Sequence, residues 1–253
     1  MKINNLSNFE DTETLPMDKK YIDKMSAEIA TITMILNSEK VIRGLIDANK
    51  YISTAINKIY KILKSSDSGR IIYTGSGTSG RIGVLDAVEL LPTFCWPTNR
   101  IDFVIAGGTD SLTRSVEGAE DNFKKGFNEI LNKNCNKNDV LLCLSASGQS
   151  QFTLGTIKAA RKTKAFTIGI SNNQNSLLAK ACDLFIPILT GAEILAGSTR
   201  LNAGTSQKIC LNIISTIVMA KLGNVQNGLM VNMIPSNKKL KKRKEMINQL
   251  LKN

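Results

Sequence analysis

"IIYTGSGTSG", residues 71–80, joins an unbroken apolar run to a string of glycines and hydroxyls. Ile71, Ile72 and Tyr73 do not alternate with polar residues, which is how a strand covered on both faces reads. All six residues after Thr74 are Gly, Ser or Thr. Glycine lets backbone approach a ligand closely. Hydroxyls and the free N–H groups of a helix start bind anions, phosphate above all.

Four more short apolar runs follow: "IDFVIAG" from Ile101, "DVLLCLS" from Asp139, "AFTIGIS" from Ala165 and "LFIPIL" from Leu184. Helical patterns at 116–131 and 154–162 lie between them. This alternation predicts an α/β fold, a five-stranded parallel sheet with helices on both faces. Upstream, apolar residues spaced by three and four over 23–63 predict an N-terminal helical region. Ser26 marks a helix start there, residues 37–39 a break, and "SSDSG" at 65–69 its end. The expected division is 1–60 helical, 61–224 the sheet domain, and 225–253 a short basic helical segment.

Ligands of such sheets bind outside the carboxyl ends of the strands. A second hydroxyl-rich loop, "SASGQS" at 145–150, follows the third apolar run. The two loops together predict a phosphate site built from Gly77, Thr78, Ser79, Gly80, Ser145, Ser147 and Ser150. The first loop lacks the lysine of a nucleoside-triphosphate loop. It fits G-x-G-x-x-G, but the next strand ends in Ala106 and Gly107, where a dinucleotide site would place an acidic residue for the ribose. A small phosphorylated metabolite fits better than a dinucleotide.

Composition narrows the class further. Of 253 residues, 42% are apolar and 21% charged, ordinary values for a globular protein with a sizeable core. The net charge is +12, and residues 236–253 alone carry +6 from seven Lys or Arg and one Glu. No aromatic residue interleaves with that run, so it reads as a solvated helix, with no nucleic acid expected as partner. Five cysteines form no CxxC pair and histidine is absent, so neither a disulfide framework nor a metal site is expected. The polar, acidic first residues are unlike a signal peptide, and the most apolar helical stretch, 209–222, is too short and too polar to span a bilayer. A cytoplasmic protein without membrane contact is the expectation.

Longer blocks carry a resemblance. Strand–GSGTSG with strand–SASGxS resembles the sugar isomerase (SIS) domain, which binds phosphosugars. "GSGTSGRIGVLDAVELLPTF", "AGGTDSLTRSVEGAED", "GAEILAGSTRLNAGTSQK" and "NGLMVNM" are similar, in this order, to the N-acetylmuramic acid 6-phosphate etherase family. That resemblance implies an SIS-type fold and a lyase of cell-wall amino sugar catabolism. It would release D-lactate and N-acetylglucosamine 6-phosphate without a cofactor, and its site would be finished by a neighbouring subunit of a homodimer. The family's two active-site glutamates map onto Glu89, in "LDAVELLPT", and Glu120, in "SVEGAED". Two positions depart from the family pattern. Val88 replaces a small polar residue, and Ser150 and Gln151 stand where Thr and Pro are usual.

Such a reaction needs one acid and one base. The apolar surroundings of Glu89 predict a raised pKa and an acid role. A helix start near Glu120 predicts an ionised base. Arg81, Arg200 and Lys208 are candidate contacts for phosphate or lactate carboxylate. Two other readings share the loops: a phosphosugar isomerase, and a regulator that binds phosphosugars without catalysis.

Overall fold

The computed structural model describes residues 11–14, 21–235 and 238–251. Five strands form one parallel sheet: β1 (Ile71–Gly75), β2 (Ile101–Ile105), β3 (Val140–Leu144), β4 (Phe166–Ser171) and β5 (Leu184–Pro187). Their spatial order is β2-β1-β3-β4-β5. Ile71 pairs with Val140 and Gly75 with Leu144, so β1 and β3 run side by side in register.

The apolar runs are unbroken because both faces are covered. Ile71 and Tyr73, with Val140, Leu142 and Leu144, enter one core; Ile72, Leu141 and Cys143 enter the other. On the first face lie α2 (Glu39–Asp47), α3 (Asn49–Lys64), α4 (Gly77–Phe94) and α8 (Asn202–Lys221). On the second lie α5 (Phe123–Asn132), α6 (Gln151–Lys162) and α7 (Leu177–Ala181). The helical N-terminal region is as expected, with an additional break at Ala48 between α2 and α3. Ile52, Ile56, Ile59 and Leu63 form the buried stripe of α3 and share the core of the sheet.

Ahead of these, α1 (Ala27–Asn37) is capped by the Ser26 hydroxyl, which accepts from the Ile29 amide. No residue of α1 is buried, although Ile29, Ile32, Ile35 and Leu36 are all apolar and exposed. The basic segment forms α9 (Lys238–Leu250), in which Ile247 is buried. No helix among the described residues is long and apolar enough to cross a membrane.

Two helices meet main chain to main chain. A Cβ on Gly126 of α5 would run into the carbonyl oxygen of Phe152, and one on Gly155 of α6 into that of Phe123. Only glycine permits this approach.

The expected helix over 116–131 begins later, at Phe123. Gly118 takes a left-handed backbone (φ 68°), and the Asn122 side chain caps α5 by accepting from the Lys125 amide at 2.9 Å. Glu120 therefore sits in a short turn ahead of the helix and not in its first turn.

Candidate phosphosugar site

After β1 the chain goes to β2 on one side, and β3 then lies on the other. The carboxyl ends of β1 and β3 thus flank the switch point, where parallel sheets open a crevice. A cavity of about 280 Å³ lies there, lined by Ser76, Gly77, Thr78, Ser79, Ser145, Ala146 and Ser147 from the two strand ends. Glu120, Gly197, Thr199 and Glu13 complete the lining.

Each loop is fixed by its own hydrogen bonds. Ser76 occupies the N-cap of α4, yet its hydroxyl makes no capping bond and instead lies 2.8 Å from the Ser150 hydroxyl. The first turn of α4 thus meets the cavity without a side-chain cap, the arrangement that receives an anion. In the second loop the Ser145 hydroxyl accepts from the Gly148 amide at 3.0 Å, and the Ser147 hydroxyl from the Gln149 amide at 3.2 Å. Ser150 caps α6 by accepting from the Thr153 amide.

The carboxyl of Glu120 is pushed above its ordinary range, chiefly by the protein packed around it, with the Asp121 charge adding to the shift. The nearby Ser150 hydroxyl opposes the shift. The side chain nevertheless keeps an open side toward solvent. The shift runs opposite to the one a helix start would give, and Glu120 lies in the turn ahead of α5 instead of in its first turn.

The model of the glucokinase regulatory protein N-terminal SIS domain matches residues 54–161, and that of the SIS domain residues 126–216. The chain is 41% identical to N-acetylmuramic acid 6-phosphate etherase of Clostridium acetobutylicum, over 81% of this chain and 71% of that protein. It is 40% identical to the protein of that name from Mycoplasma mycoides subsp. mycoides, over 96% and 80%. The chain belongs to the N-acetylmuramic acid 6-phosphate etherase family. Solved structures share its fold at much lower identity. A phosphoheptose isomerase from Francisella tularensis has a TM-score of 0.58 at 16% identity, over 77% of this chain and 100% of that one. The Vibrio vulnificus NanR protein complexed with ManNAc-6P has a TM-score of 0.52 at 12% identity, over 85% and 67%.

In this etherase-family chain the cavity gathers Gly77, Thr78, Ser79, Ser145, Ser147 and Glu120. Other expected site residues lie outside its lining. Gly80 packs beneath it, where a Cβ would strike Ile105 and the Gly75 carbonyl. Ser150 is buried and ties the loops together. Glu89 is exposed, on one outward stripe of α4 with Leu85 and Val88. Of the apolar neighbours that predicted a buried acid, Leu85 and Val88 share its exposed stripe, whereas Val84, Ala87 and Leu90 are buried on the other side of α4.

The three candidate cations also have other occupations or positions. Arg81 donates through Nε to the Ser111 carbonyl at 2.7 Å and through Nη2 to the Arg114 carbonyl at 3.1 Å. It braces the segment leading to Glu120. Lys208 donates to Asn212 at 2.7 Å and stands 3.7 Å from Asp86. Arg200 is exposed.

Three features of the etherase-family site were not legible in the residues. Glu193 is fully buried, and its two oxygens accept from the Asn202 and Ala203 amides at 3.0 and 2.9 Å, capping α8 and anchoring the loop that carries Gly197 and Thr199. Asp86 is buried and accepts from Tyr73 at 2.8 Å and Ser215 at 3.2 Å. Burial raises its pKa, against the hydrogen bond from Tyr73 and the Lys208 charge. Glu13 lies in a polar segment that offered no periodic signal.

Proposed function

We propose that the chain cleaves the D-lactyl ether of N-acetylmuramic acid 6-phosphate, giving N-acetylglucosamine 6-phosphate and D-lactate. The supporting observation is a carboxyl with a raised pKa in the same cavity as two hydroxyl-rich anion loops. The loops would hold the 6-phosphate through hydroxyls and the first amides of α4. With the sugar ring open, the aldehyde at carbon 1 acidifies the hydrogen on carbon 2. A carboxylate takes that proton, the electron pair forms the double bond between carbons 2 and 3, and the bond from carbon 3 to the lactyl oxygen breaks. A carboxylic acid protonates the leaving oxygen. Water then adds at carbon 3 while carbon 2 regains a proton. No net oxidation occurs, and two carboxyl groups supply both roles.

Glu120 is the proposed base at carbon 2 or toward water, and Glu89 the proposed acid. Glu89 does not reach the cavity of its own chain, and its stripe on α4 is apolar beside it. A homodimer in which a second copy covers α1 and this stripe is the proposed assembly: it would cover the exposed apolar residues, and a two-fold contact that sets each stripe against the other copy's cavity would bring each Glu89 to a reacting centre. The cytoplasm is the proposed compartment.

The test is lactate release from N-acetylmuramic acid 6-phosphate with deuterium exchange at carbon 2. Glu120→Gln and Glu89→Gln are each expected to lower lactate release by about a hundredfold or more. Isomerisation of a phosphosugar without lactate release would overturn the reading.

A further inference from the structure

We propose that Glu13 is a substrate-contacting residue, a carboxylate that accepts hydrogen bonds from the neutral hydroxyl or amide N–H groups of the bound phosphosugar. The assignment rests on the reading of the cavity as a phosphosugar site.

Glu13 is far in sequence from every other lining residue, yet it borders the same cavity as Ser79, Ser147 and Glu120. Its segment is anchored there. Thr12 is fully buried, its carbonyl accepting from the Gly197 amide at 3.2 Å. The Thr12 hydroxyl accepts from Asn173 Nδ2 at 3.3 Å, and the same amide group donates to the carbonyls of Ala146 and Ser147. The segment is thereby tied to the second anion loop.

Gly197 fixes the other side. Its backbone is left-handed (φ 75°), and a Cβ there would stand 2.8 Å from Glu13 Oε2. The bare backbone leaves that oxygen its position at the cavity rim. Beside an anion loop a second anion is repelled, so a carboxylate there does not serve the phosphate. It serves neutral donors, which a carboxylate accepts strongly and which a phosphosugar carries and inorganic phosphate lacks. Glu13 therefore reads the sugar, while the serine loops read the phosphate.

Calorimetric titration of the full chain with N-acetylglucosamine 6-phosphate and with inorganic phosphate separates these roles. Glu13→Ala is expected to weaken the phosphosugar about tenfold or more and leave inorganic phosphate within about twofold, with Glu13→Gln intermediate because its amide oxygen still accepts. Ser79→Ala should weaken both ligands. If Glu13→Ala binds both ligands as the wild type does, Glu13 has no contact with substrate. If it loses both equally, its role is structural and the assignment also falls. If the wild-type chain fails to bind the phosphosugar, the reading of the cavity fails and this assignment with it.

Discussion

The Ser76 and Ser150 hydroxyls lie 2.8 Å apart and join the loop after β1 to the first turn of α6. Neither anion loop is positioned independently. Ser150→Ala removes this tie together with the α6 cap. It is expected to cost about 1–2 kcal/mol in a urea unfolding series, the usual value of a lost N-cap, and also to weaken phosphosugar binding. Unchanged binding in a destabilised variant would mean that the loops hold their places separately.

Ser79 and Ser147 line the cavity from the two loops. Replacing both with Ala should weaken a 6-phosphosugar far more than its unphosphorylated counterpart, because hydrogen bonds to a charged group are worth more than neutral ones. Paired titrations measure the difference, and equal losses would remove phosphate from these loops.

The raised pKa of Glu120 carries a sign for both activity and stability. If Glu120 works as a base, the acidic limb of the lactate-release profile should lie above the ordinary carboxylate value of about 4.3, and Glu120→Gln should abolish that limb. The folded state holds this proton more tightly than the unfolded chain does. The contribution of Glu120 to stability is therefore present at low pH and lost as pH rises through its raised value. Glu120→Gln should gain on the wild type over that window, as read by thermal melting at several pH values.

Tyr73→Phe leaves one oxygen of the buried Asp86 carboxyl without its hydroxyl. The expected loss is about 1–3 kcal/mol. Since the tyrosine bond pulls the Asp86 pKa down against burial, the loss should grow as pH rises and the carboxyl ionises. Equal losses at every pH would show that Asp86 keeps its proton throughout.

Glu193→Ala removes both acceptors at the start of α8. A loss of about 2–3 kcal/mol is expected from the two charge-assisted bonds, with weaker phosphosugar binding through the loop at Gly197 and Thr199. Rapid hydrogen exchange at the Asn202 and Ala203 amides would report the lost cap directly.

The sheet was legible because β1 and β3 are apolar on both faces, and their ends because six small residues in a row have few structural uses. The start of α5 was not, since periodicity over 116–131 outweighed two local signals, Gly118 and Asn122. The exposure of Glu89 was not legible for a similar reason. Leu85, Val88 and Glu89 fall at i, i+3 and i+4, one face of a helix, but sequence does not say whether an apolar face meets the chain's own core or something else. Arg81 looked like an anion ligand, and its carbonyl partners at Ser111 and Arg114 become visible only once the segment before Glu120 folds back over α4. Glu13 and Glu193 gave no signal, because a lone carboxylate acquires meaning only from the amides and cavity walls around it.

The glycine pair between α5 and α6 bears on which changes the molecule tolerates. Glu120 leads into the first of these helices and the second anion loop into the other, so their separation is set by contact of bare backbone and not by the fit of side chains. Repacking the apolar cores would leave this spacing alone, whereas a single methyl at position 126 or 155 would wedge the two helices apart. A randomised library selected only for lactate release should therefore keep glycine at both positions, though neither touches the cavity.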